Sequence, residues 1–406
     1  MQVNSENDYS AASLPVYEPQ VVEVLSESDG VGYFVIDRSI LGRSWGGFRI
    51  AADLSLAEVK ILARTMTIKG VLAGVPIGGA KGGICPQTRN VGSEELLGLA
   101  SRLIGRHIRS RSYFLGTDLG FDRKSADIVY ELAGSSRRTF SGKLSPGVCC
   151  ARSVLASIEY VKQLNSKLDP HTVALEGFGA MAVPTAKLLT SKGYNIVAVS
   201  NIDGTLEDRG GLNVKELAEM AANSNASFLP RYATAHPSAV FRPEYSINFK
   251  ACDILIPGTR VFSISERTAA LVKSKVICPI SNSPVSAAAE EALAQRGIMS
   301  VPDVISNSGA IIGSFAQQLG ADETQTESII VDIVNSNLKH VFESASGRTP
   351  KFLAVDLGVQ RMKRLERSEK ITALSWLIPW LRKFGVNSIL NGMREYLSLK
   401  VPSAHA

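Results

Sequence analysis

Downstream of Ser55, apolar residues recur at the spacing of one helix face: Val59, Leu62, Ala63 and Met66. Ser55 followed three residues later by Glu58 is a capping-box spacing, in which each side chain can satisfy the other's free backbone donor and start the helix. Lys69 continues the same apolar stripe. An unpaired buried ammonium is costly, so such a lysine is paired, neutralised, turned to a cleft, or snorkels out at the helix end. Tyr113-Phe114-Leu115 is a short apolar run that feeds the loop Gly116-Thr117-Asp118-Leu119-Gly120. In the second half, residues 172–176 read as a buried strand and residues 194–200 as the next one, with a helix between them that reaches about Lys192.

The turn into that helix, Gly177-Phe178-Gly179-Ala180-Met181-Ala182, is a dinucleotide fingerprint with alanine at the third glycine position. Its first glycine makes the tight turn, its second lets a pyrophosphate approach, and the phosphates sit on the helix N-terminus. Gly177, Phe178, Gly179, Ala180 and Met181 are therefore candidate cofactor-binding residues. Where an acidic residue would grip the ribose hydroxyls of NAD, the chain has Asn201, with Asp203 two residues on and Arg209 nearby. Both NAD and NADP stay open.

Lys69 and Lys81 stand twelve residues apart on either side of the glycine-rich run Gly78-Gly79-Ala80-Lys81-Gly82-Gly83. Residues without a Cβ let the backbone approach a ligand, which places Lys81 over whatever binds there. Asp118 can exchange protons with a lysine-bound substrate, or make an ordinary Asx-type turn.

Taken together, Gly46-Gly47-Phe48-Arg49, Met66-Thr67-Ile68-Lys69, the run at 78–83, the Asp118 loop, Gly177-Phe178-Gly179, Asn282-Ser283-Pro284, and the stretch from Pro302-Asp303 to Asn307-Ser308-Gly309 resemble the glutamate, leucine, phenylalanine and valine dehydrogenase family. The match covers residues 42–365, and Thr349-Pro350 followed by a helix resembles the leucine-type members. The resemblance implies that Lys69 binds the substrate carboxylate, that Lys81 and Asp118 are catalytic, and that Asn282 and Asn307 lie near the nicotinamide end of the cofactor. It also implies a homo-oligomer, at least a dimer through the N-terminal domain.

Side-chain specificity is read from departures. Glutamate-specific members carry a lysine immediately before the Gly-Gly pair, and here that position is Trp45. An indole cannot neutralise a distal carboxylate, so the expected substrate is an apolar amino acid, with Trp45, Gly46, Met66, Gly116, Ile311 and Ser314 around its side chain. Ser314 points the other way, since serine there suits glutamate-type members. Cys149-Cys150 in place of a Thr-Gly-like turn, and Pro279-Ile280-Ser281 ahead of Asn282, mark a divergent branch.

Composition changes the picture little. With 406 residues, 45% of them hydrophobic, the chain can bury two cores. Five cysteines without metal-ligand spacing favour a reducing cytoplasm, and five histidines without ligand spacing argue against a metal. The net charge of +6 is scattered, without aromatic interleaving, so nucleic acid is not an expected partner. No run approaches the roughly 18 apolar residues of a membrane span, and a membrane is not an expected partner. The apolar segment at 371–399 is expected to pack on the N-terminal domain or on another subunit.

The expected fold is α/β with two domains: a loose arm at 1–28, a substrate and dimerisation domain at 29–145, a Rossmann-type domain at 146–335, and helices from 336 returning to the first domain. Catalysis is expected in the cleft between the two domains. The expected reaction is NAD(P)-dependent oxidation of an apolar L-amino acid to the 2-oxo acid and ammonia, or its reverse. An imine or keto-acid reductase and a non-catalytic scaffold are the alternatives.

Overall fold

The computed structural model describes residues 17–88, 92–136, 142–165, 169–223, 227–344 and 347–367. The chain forms two units. The first takes in the chain up to Gly142, the short segment Gln318–Ala321 and the chain from Leu357 onward; the second comprises Lys143–Gln317 and Asp322–Asp356.

The elements of the first unit are β1 (Val21–Glu27), β2 (Gly30–Ile36), β3 (Ser44–Ile50), α1 (Leu56–Leu72), β4 (Gly78–Pro86), α2 (Ser93–Arg109), β5 (Tyr113–Gly116) and α3 (Arg123–Leu132). Its sheet runs β1-β2-β4-β3-β5, with β1, β2 and β4 antiparallel and β3 parallel to both β4 and β5. One face is covered by α2 and α3, where Phe34, Phe48, Leu99, Ile104 and Val129 share a core. The other face carries α1. It lies so close that a Cβ at Gly79 would sit 2.1 Å from the Thr67 nitrogen and 2.4 Å from the Ala63 oxygen. The same packing buries α1 on nearly every side, Lys69 included.

The arm expected at 1–28 is corrected in part. Residues 1–16 lie outside the described residues, but β1 is a regular edge strand paired with β2. Val21 and Leu25 pack on the core, and the two-residue turn Ser28-Asp29 leads the chain into β2. Ahead of β1, the Tyr17 ring lies between the Arg38 and Arg64 guanidinium groups, 3.9 and 4.0 Å from the centroid, and its hydroxyl donates to Asp37. Asp37 is fully buried and also accepts from the Thr67 hydroxyl at 2.6 Å, which ties α1 to the sheet.

The second unit contains α4 (Pro146–Leu164), β6 (Thr172–Leu175), α5 (Ala182–Ser191), β7 (Asn195–Asn201), β8 (Gly204–Glu207), α6 (Val214–Ala222), α7 (Phe228–Ala235), β9 (Val240–Arg242), β10 (Ile254–Ile256), α8 (Glu266–Ala269), β11 (Val276–Ile277), α9 (Ala287–Gln295), β12 (Met299–Ser300), α10 (Asp303–Ser306), α11 (Gly309–Gln318) and α12 (Glu323–Phe342). Its sheet order is β12-β11-β10-β6-β7-β8-β9, parallel from β12 to β7 and antiparallel beyond. Successive connections leave β6 toward β7 on one side and continue to β10 on the other. The crevice at the carboxyl ends of β6 and β10 is thus the switch point at which doubly wound sheets bind ligands.

The last helix, α13 (Pro350–Arg367), begins in the second unit and enters the first from Leu357. The return therefore starts later than the expected 336. α12 stays with α4 through the ion pair of Arg152 with Glu327 at 3.0 Å and the Tyr160 and Phe342 rings 6.2 Å apart. In the first unit α13 lies on α1: a Cβ at Gly358 would come within 2.7 Å of Ile68, and Arg361 donates to the Leu72 oxygen. The segment at 371–399 lies outside the described residues. No helix among the described residues is long and apolar enough to cross a membrane.

Candidate active site

Side chains alternate across a strand, so Trp45, Gly47 and Arg49 on β3 share one face, and the register with β4 puts Gly79 and Lys81 on that same face. This is the face beneath α1, the helix that carries Met66 and Lys69, both buried. Lys81 is ion-paired with the Asp118 carboxylate, which the loop after β5 delivers through a two-residue bridge with Phe121. Gly47 makes this meeting possible. A Cβ there would lie 3.3 Å from Lys81 Nζ, 3.0 Å from Asp118 Cβ and only 2.6 Å from the Thr117 oxygen, so a side chain would push the Asp118 loop away.

Trp45 is half-buried, and its Nε1 stands 3.3 Å from where a Gly116 Cβ would be. The indole thus lies at this lysine face instead of in the core. Gly46 is buried beside it, its carbonyl accepting from the Tyr113 hydroxyl at 2.8 Å.

Two residues that motif reading did not assign to the site complete it. Arg49 is 4% exposed; its Nε donates to Asp118 at 3.1 Å and its Nη1 pairs with Glu58, also 4% exposed. The capping box expected at Ser55 is therefore half-formed. Ser55 accepts from the Glu58 amide at 3.2 Å, but the Glu58 carboxylate goes to Arg49, because a buried guanidinium binds it more strongly than a backbone donor open to water.

Burial pushes the Lys81 amine down, the Asp118 carboxylate pulls it back up, and the Arg49 charge adds to the depression; the balance is below an ordinary lysine. Burial would raise Asp118, but Lys81 and then Arg49 outweigh it and hold the carboxyl well below its usual range. The site thus pairs a lysine able to shed its proton with a carboxylate held ionised.

In the second unit, Gly177 adopts φ +85°, the left-handed turn that favours glycine, and its N–H donates to the Ser200 hydroxyl at 3.2 Å. Gly179 and Ala180 are exposed, and nothing lies within 4 Å of where a Gly179 Cβ would be, so the space a pyrophosphate needs at the start of α5 is open. Phe178 turns inward, its ring 6.1 Å from Phe228, and offers only backbone. Met181 is the residue before α5 and half-buried. Glu176, which the motif reading passed over, binds the loop after β10 to the fingerprint: one oxygen accepts from the Gly258 and Thr259 amides and the Ser263 hydroxyl.

Asn201 and Asp203 close on each other, Asn201 donating to the Asp203 carboxylate and accepting from its amide. Asn201 is therefore committed to the turn, and the carboxylate at the tip of β7 belongs to Asp203, which also accepts from the Ser227 amide.

Asn307 donates to the Ser281 oxygen at 2.6 Å and to Asn282 at 3.3 Å, while its own buried Oδ1 has no protein partner. An orphaned acceptor suits the amide hydrogens of a nicotinamide. The orphaned acceptor and the open glycine turn both fit a dinucleotide. Ile311 and Ser314 are on α11, Ile311 buried and Ser314 half-buried. Cys150 is buried, its thiol 3.9 Å from the Asn307 oxygen, the weak contact expected where threonine is replaced.

The loop that carries Asn282 rests on charge. Ser283, at φ +49°, donates its amide to Asp303 at 2.9 Å, and Asp303 is ion-paired with Lys351; all three are buried. Burial raises the neighbouring Glu290 to about 7, against the pull of Lys351. Lys351→Met should destabilise the chain by about 3–5 kcal/mol, since it strands a buried carboxylate. Urea unfolding followed by circular dichroism checks this, and an unchanged midpoint would contradict it.

Comparison with known proteins places these motifs. Residues 21–131 match the Glu/Leu/Phe/Val dehydrogenase dimerisation domain, and residues 146–366 match Glutamate/Leucine/Phenylalanine/Valine dehydrogenase. The chain belongs to this family. Relatives include an NADP(+)-dependent glutamate dehydrogenase of Pyrobaculum calidifontis, 27% identical over 82% of this chain and 84% of that one. An NADP-specific glutamate dehydrogenase of Saccharolobus shibatae is 26% identical over 87% and 90%. Among solved structures, the hetero-hexameric glutamate dehydrogenase of Thermus thermophilus in its Leu-bound form has the same fold, with a TM-score of 0.73 at 20% identity over 89% and 94% of the two chains. The two-domain α/β reading is borne out at the level of the family fold. Nearness to leucine-type members is not what these comparisons bring out, because the relatives named here are glutamate dehydrogenases.

Proposed function

We propose that this family member oxidises an L-amino acid with a neutral, apolar side chain to the 2-oxo acid and ammonia, or runs the reverse reductive amination, with NAD as its preferred cofactor. The observation that carries the reaction is the ion pair of buried Lys81 with half-buried Asp118 on the sheet face beneath α1, the helix that bears Lys69. A bound nicotinamide would supply the hydride acceptor for the α-hydrogen. Lys69 pairs with the substrate carboxylate and fixes the α-carbon. Lys81, with its amine depressed by burial, takes a proton from the water that attacks the iminium carbon. Asp118, one bond away, receives and returns the protons that pass as the carbinolamine collapses. On the second unit, the amides at the start of α5 would hold the pyrophosphate, and Asn307 Oδ1 would accept from the carboxamide.

Trp45 supports the apolar side chain. No cation stands at the residue before Gly46-Gly47, and a glutamate carboxylate against the indole would be left unpaired. A second reading, glutamate, is favoured by the names of both curated relatives. NAD is supported by Asp203, whose carboxylate at the tip of β7 would repel a 2′-phosphate, although both relatives are named for NADP. Assembly through the first unit is supported by the match to a dimerisation domain and by the exposed Val22 and Val24 of edge strand β1.

The test is NAD(P)H formation at 340 nm with Leu, Val, Ile, Ala, Phe, Trp and Glu and each cofactor. The expected outcome is turnover of an apolar amino acid with NAD. Turnover of Glu alone would replace the first reading by the second. Bound cofactor with no amino acid oxidised would overturn both.

A further inference from the structure

The proposed reaction uses Lys69, Lys81 and Asp118 but gives no work to Arg49 and Glu58, two buried charges within the same unit. Their placement is a line of alternating charge: Glu58 at the start of α1, Arg49 on β3, Asp118 after β5, Lys81 on β4. Arg49 spends its fork on this line, with Nη1 on Glu58, Nε on Asp118 Oδ2 at 3.1 Å and Nη2 on Asp118 Oδ1 at 3.4 Å. Both Asp118 oxygens are thereby held by a rigid planar group, a geometry that an ammonium cannot supply.

We propose that Arg49 and Glu58 are positioning residues of the site: Arg49 fixes the Asp118 carboxylate against Lys81, and Arg49 and Glu58 together set the charge balance that decides whether Lys81 is free to take a proton.

This rests on the reading of Lys81 as the base. Asp118 alone beside Lys81 would hold it as an ammonium and leave it useless as a base. With Lys81 protonated, Glu58, Arg49, Asp118 and Lys81 sum to zero. Without Arg49 the same group sums to −1 and grips the proton; without Glu58 it sums to +1 and releases it. The two residues therefore act on Lys81 in opposite directions, Arg49 lowering its affinity for a proton and Glu58 raising it. The charged groups that act on the pair are Arg49 from β3 and Glu58 from the start of α1.

The experiment compares Arg49→Met, Arg49→Lys and Glu58→Gln with the parent chain. Two readouts are taken: the pH dependence of kcat/KM for amino acid oxidation, and the pH dependence of Lys81 acetylation by acetic anhydride, followed by peptide mass spectrometry. In both, Arg49→Met should move the rise to higher pH by about one unit or more, and Glu58→Gln should move it lower by a similar amount. Arg49→Lys should keep the parent position on the pH axis but lose kcat, since charge survives and the fork does not. A merely structural role would lower activity without opposite shifts. Unmoved curves, or shifts of one sign in both variants, would overturn the proposal. If the parent chain oxidised no amino acid, the functional reading would fail, yet acetylation would still measure Lys81. If Arg49→Met does not fold, the near-isosteric Glu58→Gln and the charge-preserving Arg49→Lys decide the matter by the same signs.

Discussion

Lys81→Met is expected to lower amino acid oxidation by about 10²–10⁴-fold, the range of a positioned proton-transfer group, while leaving NADH binding unchanged. Methionine keeps the length and apolar stem of lysine, and Asp118 retains Arg49 as a partner, so no carboxylate is stranded by the change. The cofactor residues belong to the other unit, which is why their affinity should not move. Turnover at saturating substrate and fluorescence titration with NADH separate the two effects. A variant that kept more than a tenth of the parent activity would remove Lys81 from the mechanism. One that lost NADH binding as well would show damage to the fold instead of to the chemistry.

The second large effect is expected at Trp45. Trp45→Lys places a cation on the sheet face shared by Gly47 and Lys81, where a distal carboxylate would otherwise lie against an indole. Relieving an unpaired charge is worth roughly 2–5 kcal/mol in such settings, so the Glu to Leu ratio of kcat/KM should rise by about 30- to 4,000-fold. The gain should fall almost entirely on glutamate, since leucine loses only aromatic contact. A parent enzyme already selective for glutamate, or a variant with an unchanged ratio, would show that the distal group is bound elsewhere and that Trp45 only fills space.

Much of the site was legible because its pieces are local in sequence. The turn at Gly177 and Gly179 is recognisable from a strand, two glycines and a helix, since phosphate binding needs only the backbone of that one segment. Lys69 stands out as a charge on an apolar stripe, and α1 is buried on nearly every side, Lys69 included. Arg49 and Glu58 were passed over for the opposite reason. Each looks ordinary in its own segment, Glu58 even like half of a capping box, and only their approach across β3 and α1 turns them into a buried pair. Glu176 and Asp203 were under-read in the same way, because their partners lie 82 and 24 residues away in the chain. β1 falls inside the expected loose arm because polar residues outnumber apolar ones near the start, and only its pairing with β2 across the Ser28-Asp29 turn makes it a strand.

The sequence by itself determined the family, the two-unit α/β plan and the residue types available for amine and dinucleotide chemistry, since these rest on periodicity and on motifs a few residues long. Only the tertiary structure decided which charges meet. It put the Asp118 carboxylate between Lys81 and Arg49, sent Glu58 to Arg49 instead of to its own helix end, and bound Asp203 to the Ser227 amide. The physical reason is that the strength of a charge is set by its distance to other charges and by the exclusion of water, and neither exists until the sheet and α1 have closed over the site.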